Sequence, residues 1–148
     1  MPEFGLAVPF PGLVERVEPR DDLPPHVTVL FPCPGDVHAV GEVVAQFQPF
    51  EVTFARLERW PEILWLAPEP AEPFIAMTEA MLKRFPEYPP YGGLHEHVVP
   101  HLAVAEAQLD ETEARVAPLL PLRSRAETVV LYEHIEAARW REVETFRL

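Results

Sequence analysis

Two histidines in this chain stand at the head of similar apolar stretches. The first stretch is Pro25-His26-Val27-Thr28-Val29-Leu30-Phe31, the second Pro100-His101-Leu102-Ala103-Val104-Ala105. Imidazole changes charge near neutral pH, so a pair of them suits general acid and base chemistry. Side chains alternate along a strand, so His26 and Thr28 share one face while Val27, Val29 and Phe31 share the other. His101 and Ala103 likewise share a face, opposite Leu102 and Val104. Each apolar face can pack on a helix, which leaves the histidine face for a cleft. With 19 Pro and six His in the chain, Pro-His dipeptides arise by chance. The weight rests on the shared continuation and on matching places in the chain; the alternative is a pair of ordinary half-buried strand histidines.

Composition removes most competing chemistries. The chain has 148 residues and one cysteine, Cys33, which excludes an internal disulfide and a Cys-rich zinc site. Ser124 is the only serine and Lys83 the only lysine, and no G-x-x-x-x-G-K stretch occurs, so serine nucleophiles and phosphate loops are poorly supported. Net charge is −12, from 24 acidic and 12 basic residues. Such a surface repels duplex DNA but leaves room for a small anion in a local pocket. No apolar run is long enough to span a membrane and the first residues lack a signal-peptide pattern, so a cytoplasmic protein is expected.

The elements that must position the histidines follow from periodicity and punctuation. Phe4–Pro9 reads as a strand, residues 10–25 as a Pro- and charge-rich loop, and His26–Phe31 as a strand closed by Pro32. Asp36 caps a helix with Val37, Val40, Val44 and Phe47 on one face. Glu51–Trp60 and Glu62–Ala67 form a hairpin around Pro61. Pro73 opens a second helix with Phe74, Met77, Met81 and Phe85 as its buried stripe, and Pro86 ends it. Residues 87–97 are a Pro/Gly-rich loop. His101–Ala105 is a strand, Asp110 and Glu113 start a third helix stopped by Pro118 and Pro121, and Ala126–Ile135 and Trp140–Arg147 are closing strands. The order strand, helix, strand, strand occurs from residue 26 and again from residue 101. The expected fold is α+β, one domain over residues 1–148, with two pseudo-symmetric lobes of largely antiparallel sheet flanked by helices and an active cleft between them.

At these residues the sequence resembles the two-histidine phosphoesterase superfamily, in particular its bacterial 2'-5' RNA ligase-like branch. That family carries two His-x-Thr/Ser motifs on central strands of two similar lobes. His26-Val27-Thr28 followed by Phe31 matches the first motif in full; His101-Leu102-Ala103 matches the second in part. The stretch Phe85-Pro86-Glu87-Tyr88-Pro89-Pro90-Tyr91-Gly92-Gly93 leading to Val99-Pro100-His101 is also similar, and the likeness covers nearly the whole chain. The resemblance implies an enzyme acting without metal or other cofactor on 2',3'-cyclic phosphates or 2'-5' phosphodiesters, on a small nucleotide or an RNA terminus. His26 and His101 are then catalytic, one as base and one as acid, and Thr28 donates a hydrogen bond to a phosphate oxygen. Ala103 lacks the hydroxyl expected there, which weakens catalysis unless water, a backbone N–H or a neighbour substitutes. A nucleotide-binding protein of slow or no turnover on the same fold is therefore the alternative.

Other candidates are weaker. His95, His97 and His101, with Glu96 between, have spacing compatible with zinc, but the segment reads as loop and the site would take His101 from the pair. Tyr91 can line the cleft and stack on a base, or simply cover core. Trp60, Trp65 and Trp140 read as packing. His38 and His134 read as surface residues, Cys33 as a small buried one. Arg56, Arg59, Arg123 and Arg125 sit on expected strands and can supply positive potential, with solvated strand edges as the default reading. A two-histidine catalyst shows a bell-shaped pH–rate profile that persists in EDTA; loss of activity on chelation, restored by zinc, identifies the metal arrangement instead.

Overall fold

The computed structural model describes residues 2–19, 23–89 and 98–148. Among these residues the strands are β1 Glu3–Pro9, β2 His26–Cys33, β3 Phe50–Trp60, β4 Ile63–Glu69, β5 Leu102–Ala105, β6 Leu122–Ala126, β7 Thr128–Glu136 and β8 Arg139–Arg147. The helices are α1 Val37–Val44, α2 Glu72–Arg84 and α3 Leu109–Val116. The strands form one sheet in the order β6-β3-β4-β5-β2-β1-β7-β8, with every neighbouring pair antiparallel. The architecture is α+β, as the sequence implies.

Read outward from the centre, the order gives β5-β4-β3-β6 on one side and β2-β1-β7-β8 on the other. These halves are the two lobes. The opening strands β2 and β5 hold equivalent central positions, but the linear repeat stops there: β4 mirrors β1, β3 mirrors β7 and β6 mirrors β8. Strand β6 lies ahead of the expected Ala126–Ile135 strand, because Arg123 and Arg125 point outward between buried Leu122 and Ala126 and dilute the apolar signal.

One face of the sheet is covered. Val27, Val29 and Leu30 of β2, Leu102 and Val104 of β5, and Leu64 and Leu66 of β4 join Val40, Phe74, Met77 and Met81 of the helices in the main core. Leu13 and Val17, from the segment read as loop, are buried in it too. Asp36 caps α1 as expected, accepting the Ala39 N–H at 3.1 Å. Asp110 does not cap α3. Gln108 occupies the N-cap position at φ 54° without a side-chain capping bond, and Asp110 and Glu113 instead bind Arg59 at 2.7 and 3.0 Å.

Strand β2 departs from simple alternation. In its pairing with β1, Ala7 faces Thr28 while Leu6 faces Leu30, so Val29 is an extra residue; a second irregularity lies between Leu30 and Cys33. This bulged stretch lets β2 run past Pro32, which removes a ladder donor where the ladder is already broken. It also turns Phe31 to the histidine face, correcting its expected place beside Val27 and Val29. A bulge leaves backbone groups without ladder partners, and the buried Thr78 hydroxyl of α2 lies 2.7 Å from the Val29 carbonyl. Replacing Thr78 by Val keeps the shape and removes that donor. The expected cost is about 1–3 kcal/mol, seen as a lower urea midpoint at unchanged m-value.

Candidate active site

The candidate site is built on the face opposite the helices, at the seam of the two lobes. β2 and β5 pair through Val27 and Leu102, both fully buried on the helix side. Continuing that antiparallel register by one residue places Thr28 across from His101 and His26 across from Ala103. Directly opposed side chains share a face and lie roughly 4.5–5.5 Å apart at Cβ, diagonal ones roughly 7–8 Å. His26, Thr28, His101 and Ala103 are all half-buried there.

The two histidines are held in the same way. His26 Nδ1 lies 2.9 Å from the Pro24 carbonyl and His101 Nδ1 lies 2.8 Å from the Val99 carbonyl, each two residues back. A carbonyl only accepts, so Nδ1 carries the proton in both, which leaves Nε2 as the basic nitrogen of the neutral ring. Each histidine follows a buried proline, Pro25 or Pro100. Proline fixes φ and holds the preceding residue extended, which aims that residue's carbonyl back at the ring. The Pro-His dipeptide thus has a mechanical role that its frequency could not reveal.

Beside His26 and Thr28 lies a cavity of about 140 Å³ lined by Gly5, Ala7, Leu23, Phe31, Tyr132 and Trp140. Phe31 and Trp140 meet edge to face with centroids 5.8 Å apart. Gly5 forms the floor: a Cβ there would touch Phe31 at 3.4 Å and Trp140 at 3.5 Å. The described lining holds neither Lys nor Arg. Tyr132 is buried, and its hydroxyl has no hydrogen-bond partner among the described residues. Burial first, and Glu142 second, push this phenol up to about 12, so it stays a neutral donor. Across the seam, the Trp60 ring packs at 4.8 Å and the Trp65 ring at 6.0 Å from His101.

A family model described as the 2'-5' RNA ligase superfamily matches residues 13–138. The chain belongs to that superfamily. In the solved structure of E. coli LigT complexed with 3'-AMP, the match spans 100% of this chain and 99% of that one at 15% identity, with a TM-score of 0.65. A solved protein of Thermus thermophilus matches at 21% identity over 99% of this chain and 97% of that one, TM-score 0.69. A structure described as a phosphoesterase matches at 14% identity over 99% and 98%, TM-score 0.64. No curated protein sequence matches the chain. Superfamily membership and the shared fold agree with the two-histidine resemblance of the sequence.

The remaining sequence candidates separate cleanly. Tyr91, His95, Glu96 and His97 lie outside the described residues. Arg56, Arg59 and Arg125 are tied to carboxylates, and Arg123 is exposed on β6. Cys33 is buried in the core, where burial pushes its thiol up to about 12. His134 is half-buried rather than superficial, stacked on Trp140 at 4.6 Å. The indoles do pack, Trp65 on Trp60 and Trp140 on a small buried cluster; what the sequence reading missed is that Trp65 and Phe31 stand on the face opposite the helices. The usable signal was period: Trp65 and Ala67 alternate with Leu64 and Leu66 on β4. A spectrophotometric titration should find one of the three tyrosines ionising only near pH 12, absent in Tyr132→Phe. Because the folded chain keeps a proton that the unfolded one loses, stability falls as pH rises from about 10 toward 12.

Proposed function

We propose that this superfamily member is a metal-independent phosphoesterase acting on 2',3'-cyclic phosphates or 2'-5' phosphodiesters of small nucleotides or RNA ends. The observation that carries the reading is the matched pair of histidines, each anchored through Nδ1 and set on one face of adjoining strands. Because each lobe supplies one of them, residues 1–148 work as one two-lobed unit.

In hydrolysis, Nε2 of one neutral histidine takes a proton from water as the water oxygen bonds to phosphorus. The phosphorus–oxygen bond to one ribose oxygen breaks, and the other, protonated histidine gives that oxygen its proton. A ribose hydroxyl in place of water runs the reaction toward a 2'-5' bond. Each proton transfer is worth about 10²–10⁴ in rate. Thr28 stabilises the charge growing on a non-bridging oxygen. The aromatic cavity beside Thr28, well below the roughly 300–1,000 Å³ of a drug-sized site, suits one flat ring such as a nucleobase, with Tyr132 as a donor to its edge. E. coli LigT has been solved with 3'-AMP, ATP and NADP+, which supports a nucleotide here. The imidazolium of the pair meets the phosphate charge.

Ala103 favours a second reading, a nucleotide binder with slow or no turnover. A panel of nucleoside 2',3'-cyclic phosphates and 2'-5'-linked dinucleotides, assayed in EDTA, separates the two. For a catalyst, His26→Ala and His101→Ala should each lose at least about 10² in rate while staying folded. Thr28→Ala should lose about 10²–10³, mainly in kcat. Binding of nucleotides without turnover of any substrate by the wild-type protein establishes the binder instead.

A further inference from the structure

The two halves of the site are unequal. Thr28 gives the β2 side a hydroxyl, and Ala103 gives the β5 side none. Across the β4–β5 ladder, Trp65 is the residue paired with Ala103, so its side chain stands on the same face. Trp65 is 7% exposed, yet it belongs to neither apolar cluster of the chain. Its ring contacts are Trp60 at 4.6 Å and His101 at 6.0 Å. Its indole Nε1 is buried and has no hydrogen-bond partner among the described residues, a condition shared only with the Tyr132 hydroxyl. A buried donor left unpaired gives up its water with no return, and a phenyl ring could fill much of the same space without that loss.

We infer that Trp65 donates, through Nε1–H, the hydrogen bond to a phosphate oxygen that a hydroxyl at position 103 would otherwise make. The inference rests on the phosphoesterase reading and adds to it a residue that touches the substrate. An indole N–H is a donor only, so it serves an anion and cannot compete as a base. Ala103 leaves a methyl where a larger side chain would stand between the indole and the seam. Nε1 is screened from solvent, so the bond forms when the anion enters and Trp60, the more exposed ring at 36%, shifts off the stack.

The test is a double-mutant cycle on adenosine 2',3'-cyclic phosphate. Trp65→Phe should lower kcat by about 10²-fold with KM much less changed. Adding Ala103→Ser to that variant should restore most of the loss, and its gain should exceed the gain the same change gives in the wild-type chain. Residue 103 is the ladder partner of Trp65, so added volume there could repair packing alone; Ala103→Val in the same variant adds the volume without the hydroxyl and should not rescue. A folded Trp65→Phe with wild-type kcat, or no rescue, overturns the inference while leaving the phosphoesterase reading intact. Should Trp65→Phe fail to fold, the Trp65 indole proton, assigned with Trp60→Phe and Trp140→Phe, is followed by NMR as 3'-AMP is added. A downfield shift supports the bond, and an unmoved resonance in the bound protein overturns it. In a wild-type chain that binds 3'-AMP without turnover, the cycle is read in Kd with the same two outcomes. A wild-type chain that neither turns over nor binds these nucleotides removes both readings.

Discussion

Val27 and Leu102, fully buried and paired across the middle of the sheet, join β2 to β5 and so one lobe to the other. The constraint is strict because side chains alternate with a period of two. A slip of one residue at this pair would turn one of the two strands over, carrying its histidine among the helices and its Val27 or Leu102 to the opposite face. The apolar side of the seam therefore determines where the polar side points. Burial of two aliphatic side chains sets the spatial relation of two imidazoles.

Around that seam the lobes solve the same problem differently. On the β2 side, a bulge held by Thr78 turns Phe31 outward, and the Phe31 and Trp140 rings lie over Gly5. The result is a small apolar recess with a hydroxyl at its edge. On the β5 side, two indoles stack beside His101 and the adjacent strand residue is Ala103. One lobe carries an apolar recess and the other crowds an imidazole. The pseudo-symmetry of the strand order does not extend to the chemistry of the side chains.

Much of this was legible from residue types alone. The alternation His26-Val27-Thr28 and His101-Leu102-Ala103 identified the face each residue occupies, and Asp36 and Pro73 marked two helix starts through backbone donors they accept or lack. Phe31 was misplaced because a bulge is an event between two strands, and nothing in β2 alone announces an extra residue. Trp60 and Trp65 were read as packing because an indole is mostly hydrocarbon. Trp65 is indeed buried, but on the face opposite the core. Asp110 resembles a helix cap in sequence, yet its carboxylate is taken by Arg59 from β3, a partner 51 residues away.

The sheet order also sets an order of assembly. One half, β3 to β6, is drawn from the continuous stretch Phe50–Ala126, whereas the other combines Glu3–Cys33 with Thr128–Arg147. The first half can pair as it leaves the ribosome. The second must hold its opening strands until β7 arrives, closing a long loop at an entropy cost that grows only slowly with length. The recess beside Thr28 uses Tyr132 and Trp140, so it is among the last features of the molecule to exist. During synthesis His26 is made early and its surroundings late.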